Sequence, residues 1–300
     1  MSIIGHNRTA QSGIIPSFSL ADLLPINHGI TRRHTLVILK SYYDGGNQAD
    51  SRLYDVLTLA GIYGSKDQWI PFESAWKDVL RRHRADYLHT SDAVALQGEF
   101  HNEKGWDKTK RNAFITACVK VIEDHIALRI SKKSAGRLGL GVCTQTVKLK
   151  DYIKARSVKP DLPVVTEICA TNALARTLEW GEDIMGANFY HMFFDQGEPF
   201  YGHVKDRKDN RKAKKLLPLM SRITSMTEVD MRYTPALQMA DLVAWCCSHK
   251  QANPRYKWQN RLLSLNWIDD SFDYDRLLNP VQQSIDLVKT WKLPRRKPTI

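Results

Sequence analysis

The stretch HTLVILKSYYDGG, His34–Gly46, decides how the rest of the chain is read. Thr35 to Tyr43 is rich in β-branched and aromatic residues, which fit a pleated, half-buried surface. Gly45 and Gly46 then read as a turn. RLYDVLTLAGIYG, residues 52–64, follows at once and alternates into an apolar run. The pair predicts an antiparallel hairpin with Asp44 at its tip.

Downstream, the hydrophobic period changes. In WIPFESAWKDVLRRH, residues 69–83, Phe72, Ala75, Trp76, Val79 and Leu80 recur at helical spacing. KRNAFITACVKVIEDH, residues 110–125, reads as a second helix. IALRI and LGLGVCTQTVKL, within 126–149, read as two strands around KKSAGR. PVVTEICATNALARTLEW, residues 163–180, is a third helix, and NFYHMFFDQGEPF, residues 188–200, a strand with Asp195 behind its apolar run. GHVKDRKDNRKAKKLLPL from Gly202 reads as a basic helix, and ITSMTEVDMRY from Ile223 as a strand or extended link. PALQMADLVAWCC, Pro235–Cys247, is an apolar helix with proline at a permitted first-turn position. NPVQQSIDLVKTW, residues 279–291, is a last helix before a basic tail. Strands come first and then alternate with helices, so the expected class is α/β, one mixed sheet flanked by helices with added helical segments. The expected organisation is an extension over 1–34, an α/β domain over 35–250 and a helical, basic extension over 251–300.

Composition narrows the function. The 300 residues are 43% hydrophobic and 25% charged, as in an ordinary globular chain. No apolar run approaches the roughly 20 residues needed to cross a bilayer, and the first residues lack the pattern of a secretory leader. The five cysteines have neither disulfide-framework nor zinc-site spacing, and read as small buried hydrophobes in a reducing compartment. Cytoplasmic placement and no membrane partner are therefore expected. Lys and Arg exceed Asp and Glu by 44 to 32, a net charge of +12. Such a field attracts polyanions and moves nucleic acid up the list of partners.

Three aspartates carry the chemistry. Asp44 ends the first strand, Asp195 ends a later one, and Asp241 interrupts the apolar helix, each where a lone charge is costly. Brought together at one sheet edge, they would repel one another unless a cation sat between them. All-oxygen clusters suit Mg²⁺ or Mn²⁺, which also bind phosphate oxygens and can activate water. Each has a plainer alternative: Asp44 and Asp195 as turn residues, Asp241 on the solvent side of its helix.

The order of an early strand ending Y-x-D (Tyr42–Asp44), a central F-D-x-x-E (Phe194–Glu198) and a late L-Q-x-A-D-L helix (Leu237–Leu242) resembles a prokaryotic family, the domain of unknown function numbered 3800. The likeness spans about residues 35 to 250 and implies an RNase H-like fold. It implies Asp44, Asp195 and Asp241 as metal ligands, and Glu167 as the nearest candidate for a fourth carboxylate. The family usually reads D-E-S-G where this chain has Asp44-Gly45-Gly46-Asn47, so the acid after Asp44 is missing. His89 and Asp92 in LHTSDA resemble a further family segment. His89 could position a water or contact a phosphate, while Ser91 or Asp92 could instead cap a helix. His125 and His191 read as packed or surface histidines.

Lys205, Arg207, Lys208, Arg211 and Lys212 belong to KDRKDNRKAKK, residues 205–215, a candidate to hold a nucleic-acid backbone or else a solvated helix face. No Walker A, dinucleotide-binding, nucleophile-elbow or HExxH motif is present. The expectation is metal-dependent hydrolysis of a nucleic-acid phosphodiester, with a non-catalytic binding or interaction module of the same fold as the alternative.

Overall fold

In a computed structural model the described residues are 37–46, 55–126, 139–209, 218–250, 256–265 and 267–278. All of them belong to one unit, Leu36–Ile300. The expected N-terminal extension, the strand expected at 126–130 apart from Ile126, and the helix expected at 279–291 lie outside the described residues.

Six strands form one mixed sheet in the order β5-β4-β1-β2-β3-β6. They are β1 (Ile38–Gly46), β2 (Val56–Ser65), β3 (Gly141–Lys148), β4 (Phe189–Asp195), β5 (Ile223–Val229) and β6 (Ile268–Phe272). β1 to β3 pair antiparallel, whereas β4 joins β1, β5 joins β4 and β6 joins β3 in parallel. The helices are α1 (Lys66–His83), α2 (Thr90–Ala95), α3 (Lys108–His125), α4 (Leu149–Val158), α5 (Val165–Trp180), α6 (Pro199–Asp209), α7 (Pro235–Ser248), α8 (Lys257–Leu263) and α9 (Tyr274–Leu278). The class is α/β, a mixed sheet flanked by helices, consistent with an RNase H-like fold. β6 is an addition that the sequence reading missed, since it assigned the chain beyond 250 to helix and tail.

The sheet carries a core on each face because neighbouring strand residues point to opposite sides. Tyr42, Ala60 and Ile62 pack with α1, α3, α7 and α8. Tyr43, Leu39 and Leu59 pack with α4, α5, α6 and α9 on the other face. β2 and β3 are buried on both faces, which fits the near-continuous apolar run of β2. The five cysteines are all free and buried, as expected. Among the described residues, no helix is long and apolar enough to cross a membrane.

The hairpin expectation needs correcting. Asp44 is not at a tip but inside the ladder, opposite Ala60, and Gly45 and Gly46 continue it opposite Leu59 and Thr58. Close packing, not a turn, accounts for the second glycine. A Cβ on Gly46 would lie 2.4 Å from Ser248 Oγ and 3.1 Å from the Ala244 carbonyl oxygen, both on α7.

Candidate functional site

β1 and β4 are locked in register by two stacked ring pairs, Tyr42–Phe193 and Tyr43–Phe194, each with centroids 4.8 Å apart. Tyr43 pairs with Phe194, so one residue further along, Asp44 and Asp195 sit side by side at the carboxyl ends of two parallel strands. Ligands of open α/β sheets collect at such ends. The strand period turns Asp44 to the face of Tyr42, which is the face α7 covers. α7 is buried along nearly its whole length, and Asp241 with it. Asp44 and Asp241 are 5% and 7% exposed, so the solvent-side alternative for Asp241 fails.

The carboxylates feel one another. Burial pushes the Asp44 carboxyl well above the usual range, and the charges of Asp241, Glu198 and Asp195 push it further, as does a hydrogen bond with Glu198. Burial also raises Asp241, while His89 and Thr90 pull it partway back. Asp195 is raised by burial against the lowering effect of the Met231 and Gln196 amides. Specific donors hold each group. Gly45 N donates to Asp44 Oδ1 at 2.8 Å, Thr90 N to Asp241 Oδ2 at 2.6 Å, and Met231 N to Asp195 Oδ1 at 3.0 Å. His89 precedes the first turn of α2, with Nδ1 2.9 Å from Asp92 Oδ2. Burial opposes its protonation, but Asp241, Asp92 and Asp195 prevail and raise its pKa. Ser91 and Asp92 lie within α2 rather than capping it.

The three aspartates and His89 are thus brought together. Glu167 lies in the first turn of α5, whose buried apolar residues belong to the core on the opposite face of the sheet from α7. Glu198, in the F-D-x-x-E motif but not singled out as a ligand, is the carboxylate found beside Asp44. Its signal was the motif itself, set in the turn after β4 where Gly197 adopts φ +82°.

α6 follows Glu198 at once, starting at Pro199. Its Phe200 and Val204 are buried toward α5, and Lys205 is exposed near the Tyr201 ring. Lys208 is half-buried. Arg207 falls on the same helix, while Arg211 and Lys212 lie outside the described residues. His125 is packed, its Nδ1 2.8 Å from the Val121 carbonyl, and His191 is partly buried.

The donor set is all carboxylate oxygen, which by its chemistry suits a hard divalent cation. As they stand, the described residues include no group of three or more His, Cys, Asp or Glu side chains disposed to hold a metal ion. No protein-family model and no curated protein sequence matches the chain.

Proposed function

We propose that this chain is a metal-dependent hydrolase of nucleic-acid phosphodiesters, akin to the domain-of-unknown-function 3800 family it resembles. The observation that carries the reading is the convergence of Asp44, Asp195, Asp241 and Glu198 into one mutually repelling cluster at the carboxyl ends of β1 and β4. A divalent cation would relieve that repulsion. Asp44, Asp195 and Asp241 would hold Mg²⁺ or Mn²⁺, which supplies Lewis acidity and an activated water when bound. The chain's own residues do the rest. The buried face under α7 limits water, and His89, whose pKa Asp241 and Asp92 raise, is placed to contact a phosphate oxygen or donate a proton. Tyr233, 80% exposed, and Arg232 sit on the turn whose Met231 amide holds Asp195, where a base and a phosphate could lie. Lys205, Arg207, Lys208, Arg211 and Lys212 would neutralise backbone phosphates. The free cysteines suit the cytoplasm.

The second reading, a non-catalytic nucleic-acid-binding or interaction module, is favoured by Gly45 in place of an acid and by the Asp44–Glu198 hydrogen bond. Incubating single- and double-stranded DNA and RNA with Mg²⁺ or Mn²⁺, alongside Mn²⁺ titration by EPR, separates the two. Cleavage and tight Mn²⁺ binding, both lost in Asp241→Asn, are expected. No metal-dependent cleavage, together with equal Mn²⁺ affinity in the variant, would overturn the hydrolase.

A further inference from the structure

Gln238, one turn before Asp241 on α7, is 1% exposed and uses its full hydrogen-bonding capacity. Its Oε1 accepts from Trp76 Nε1 at 2.8 Å and from the Leu88 amide at 3.1 Å. Its Nε2 donates to the carbonyls of Met231 at 3.0 Å and Arg232 at 3.3 Å. The two backbone segments it grips are the ones that hold the aspartates. Two residues past Leu88, the Thr90 amide donates to Asp241. The other face of Met231, its amide, donates to Asp195. His89 lies between Leu88 and Thr90, pinned on both sides by α7 side chains.

The geometry points to Gln238 as a positioning residue. One carboxamide fixes the segment carrying His89 against Asp241 and, separately, the turn that holds Asp195, so that α7 sets the spacing of both aspartates. The inference deepens the hydrolase reading by naming what aligns its acids, yet the hydrogen-bond relay stands whether or not the chain cleaves anything. Only an amide does both jobs. A carboxylate keeps the acceptor and loses the donor, and a thioether of similar volume loses both.

Amide hydrogen exchange on the metal-free protein tests the relay. In Gln238→Met, exchange at Leu88, Thr90 and Met231 should accelerate by about tenfold or more, the β1–β2 ladder keeping wild-type rates. Gln238→Glu should split the arms, with Met231 accelerating while Leu88 and Thr90 stay protected. Should the ladder also accelerate in the Met variant, the Glu variant decides. Acceleration confined to Leu88 in Gln238→Met, or uniform change in Gln238→Glu, overturns the inference even if the protein is an active nuclease. Where cleavage is observed, Gln238→Met should lower kcat by about 10–100-fold with KM unchanged. A matching rise in KM with kcat intact would count against a positioning role.

Discussion

Replacing Gly46 with alanine tests how closely α7 must approach β1. The new Cβ would fall 2.4 Å from Ser248 Oγ, 3.1 Å from the Ala244 oxygen and 3.3 Å from its carbonyl carbon. Ser248 Oγ is tied down, donating to the Ala244 carbonyl at 2.8 Å, so swinging it aside forfeits about 1 kcal/mol. The Ala244 carbonyl is helix backbone and can give way only if α7 shifts. Overpacking of this kind costs about 1–3 kcal/mol. Alanine recovers about 0.5–1 kcal/mol through the backbone freedom that glycine loses in a strand. The balance is a loss of about 1–3.5 kcal/mol, or about 2–14 °C in Tm for a domain of this size. Thermal and urea melts of Gly46→Ala read it directly. Adding Ser248→Ala removes the nearest contact but not the carbonyl, so the double variant should regain part of the loss and show non-additivity. A Gly46→Ala protein at least as stable as wild type, or strictly additive effects in the pair, would refute close approach as the reason for this glycine.

Other expectations follow from the buried charges and the exposed rim. The folded Asp44 pKa lies above its unfolded value near 3.9, so its contribution is intact below that value and is lost as pH rises through the folded pKa. Metal-free Asp44→Asn should therefore melt higher than wild type at pH 7 to 8, with the gap closing toward pH 4 in melts run with chelator. A constant or reversed gap would show that Asp44 is not held among like charges. Arg176→Met strands Asp270, which Arg176 grips at 2.8 and 3.0 Å. The loss should be about 3–5 kcal/mol, nearer the lower figure because Arg276 remains 3.2 Å away, and Arg176→Met with Asp270→Leu should be the more stable combination by denaturant titration. Tyr233→Ala should weaken binding of a single-stranded oligonucleotide in EDTA by about 5–150-fold, measured by fluorescence anisotropy, while Tyr233→Phe keeps it. Equal binding by both variants would remove Tyr233 from the interface.

What the sequence revealed and what it hid divide along physical lines. Asp241 stood out because a charge in an apolar helix needs a local reason, and burial bears out the anomaly. The strands around Asp44 and Asp195 were legible from their apolar runs. The glycines after Asp44 misled because the same residue serves a turn and a tight helix contact, and only the distant Ser248 and Ala244 tell which. β6, Ile-Asp-Asp-Ser-Phe, did not read as a strand because two of its five residues are acids. Their partners, Thr144 and Lys250 for Asp269 and Arg176, Gln145 and Arg276 for Asp270, are mostly scattered far along the chain. Gln238 was equally opaque, since its role depends on Trp76 and Leu88, some 150 residues earlier. Glu167 looked suitable by position along the chain, which says nothing of the face of the sheet its helix covers.

The placement of α7 also sets a timetable. Roughly 200 residues separate Asp44 from Asp241. At the ordinary pace of translation, about 5–20 residues per second, the first aspartate waits roughly 10–40 s for the other to be made. Until then the Tyr42, Ala60 and Ile62 side of the sheet lacks its central helix. A chain stopped short of α7 therefore presents a sheet face that α1 and α3 cover only in part, and an incomplete acidic cluster. Whatever the cluster does is withheld until α7 has left the ribosome.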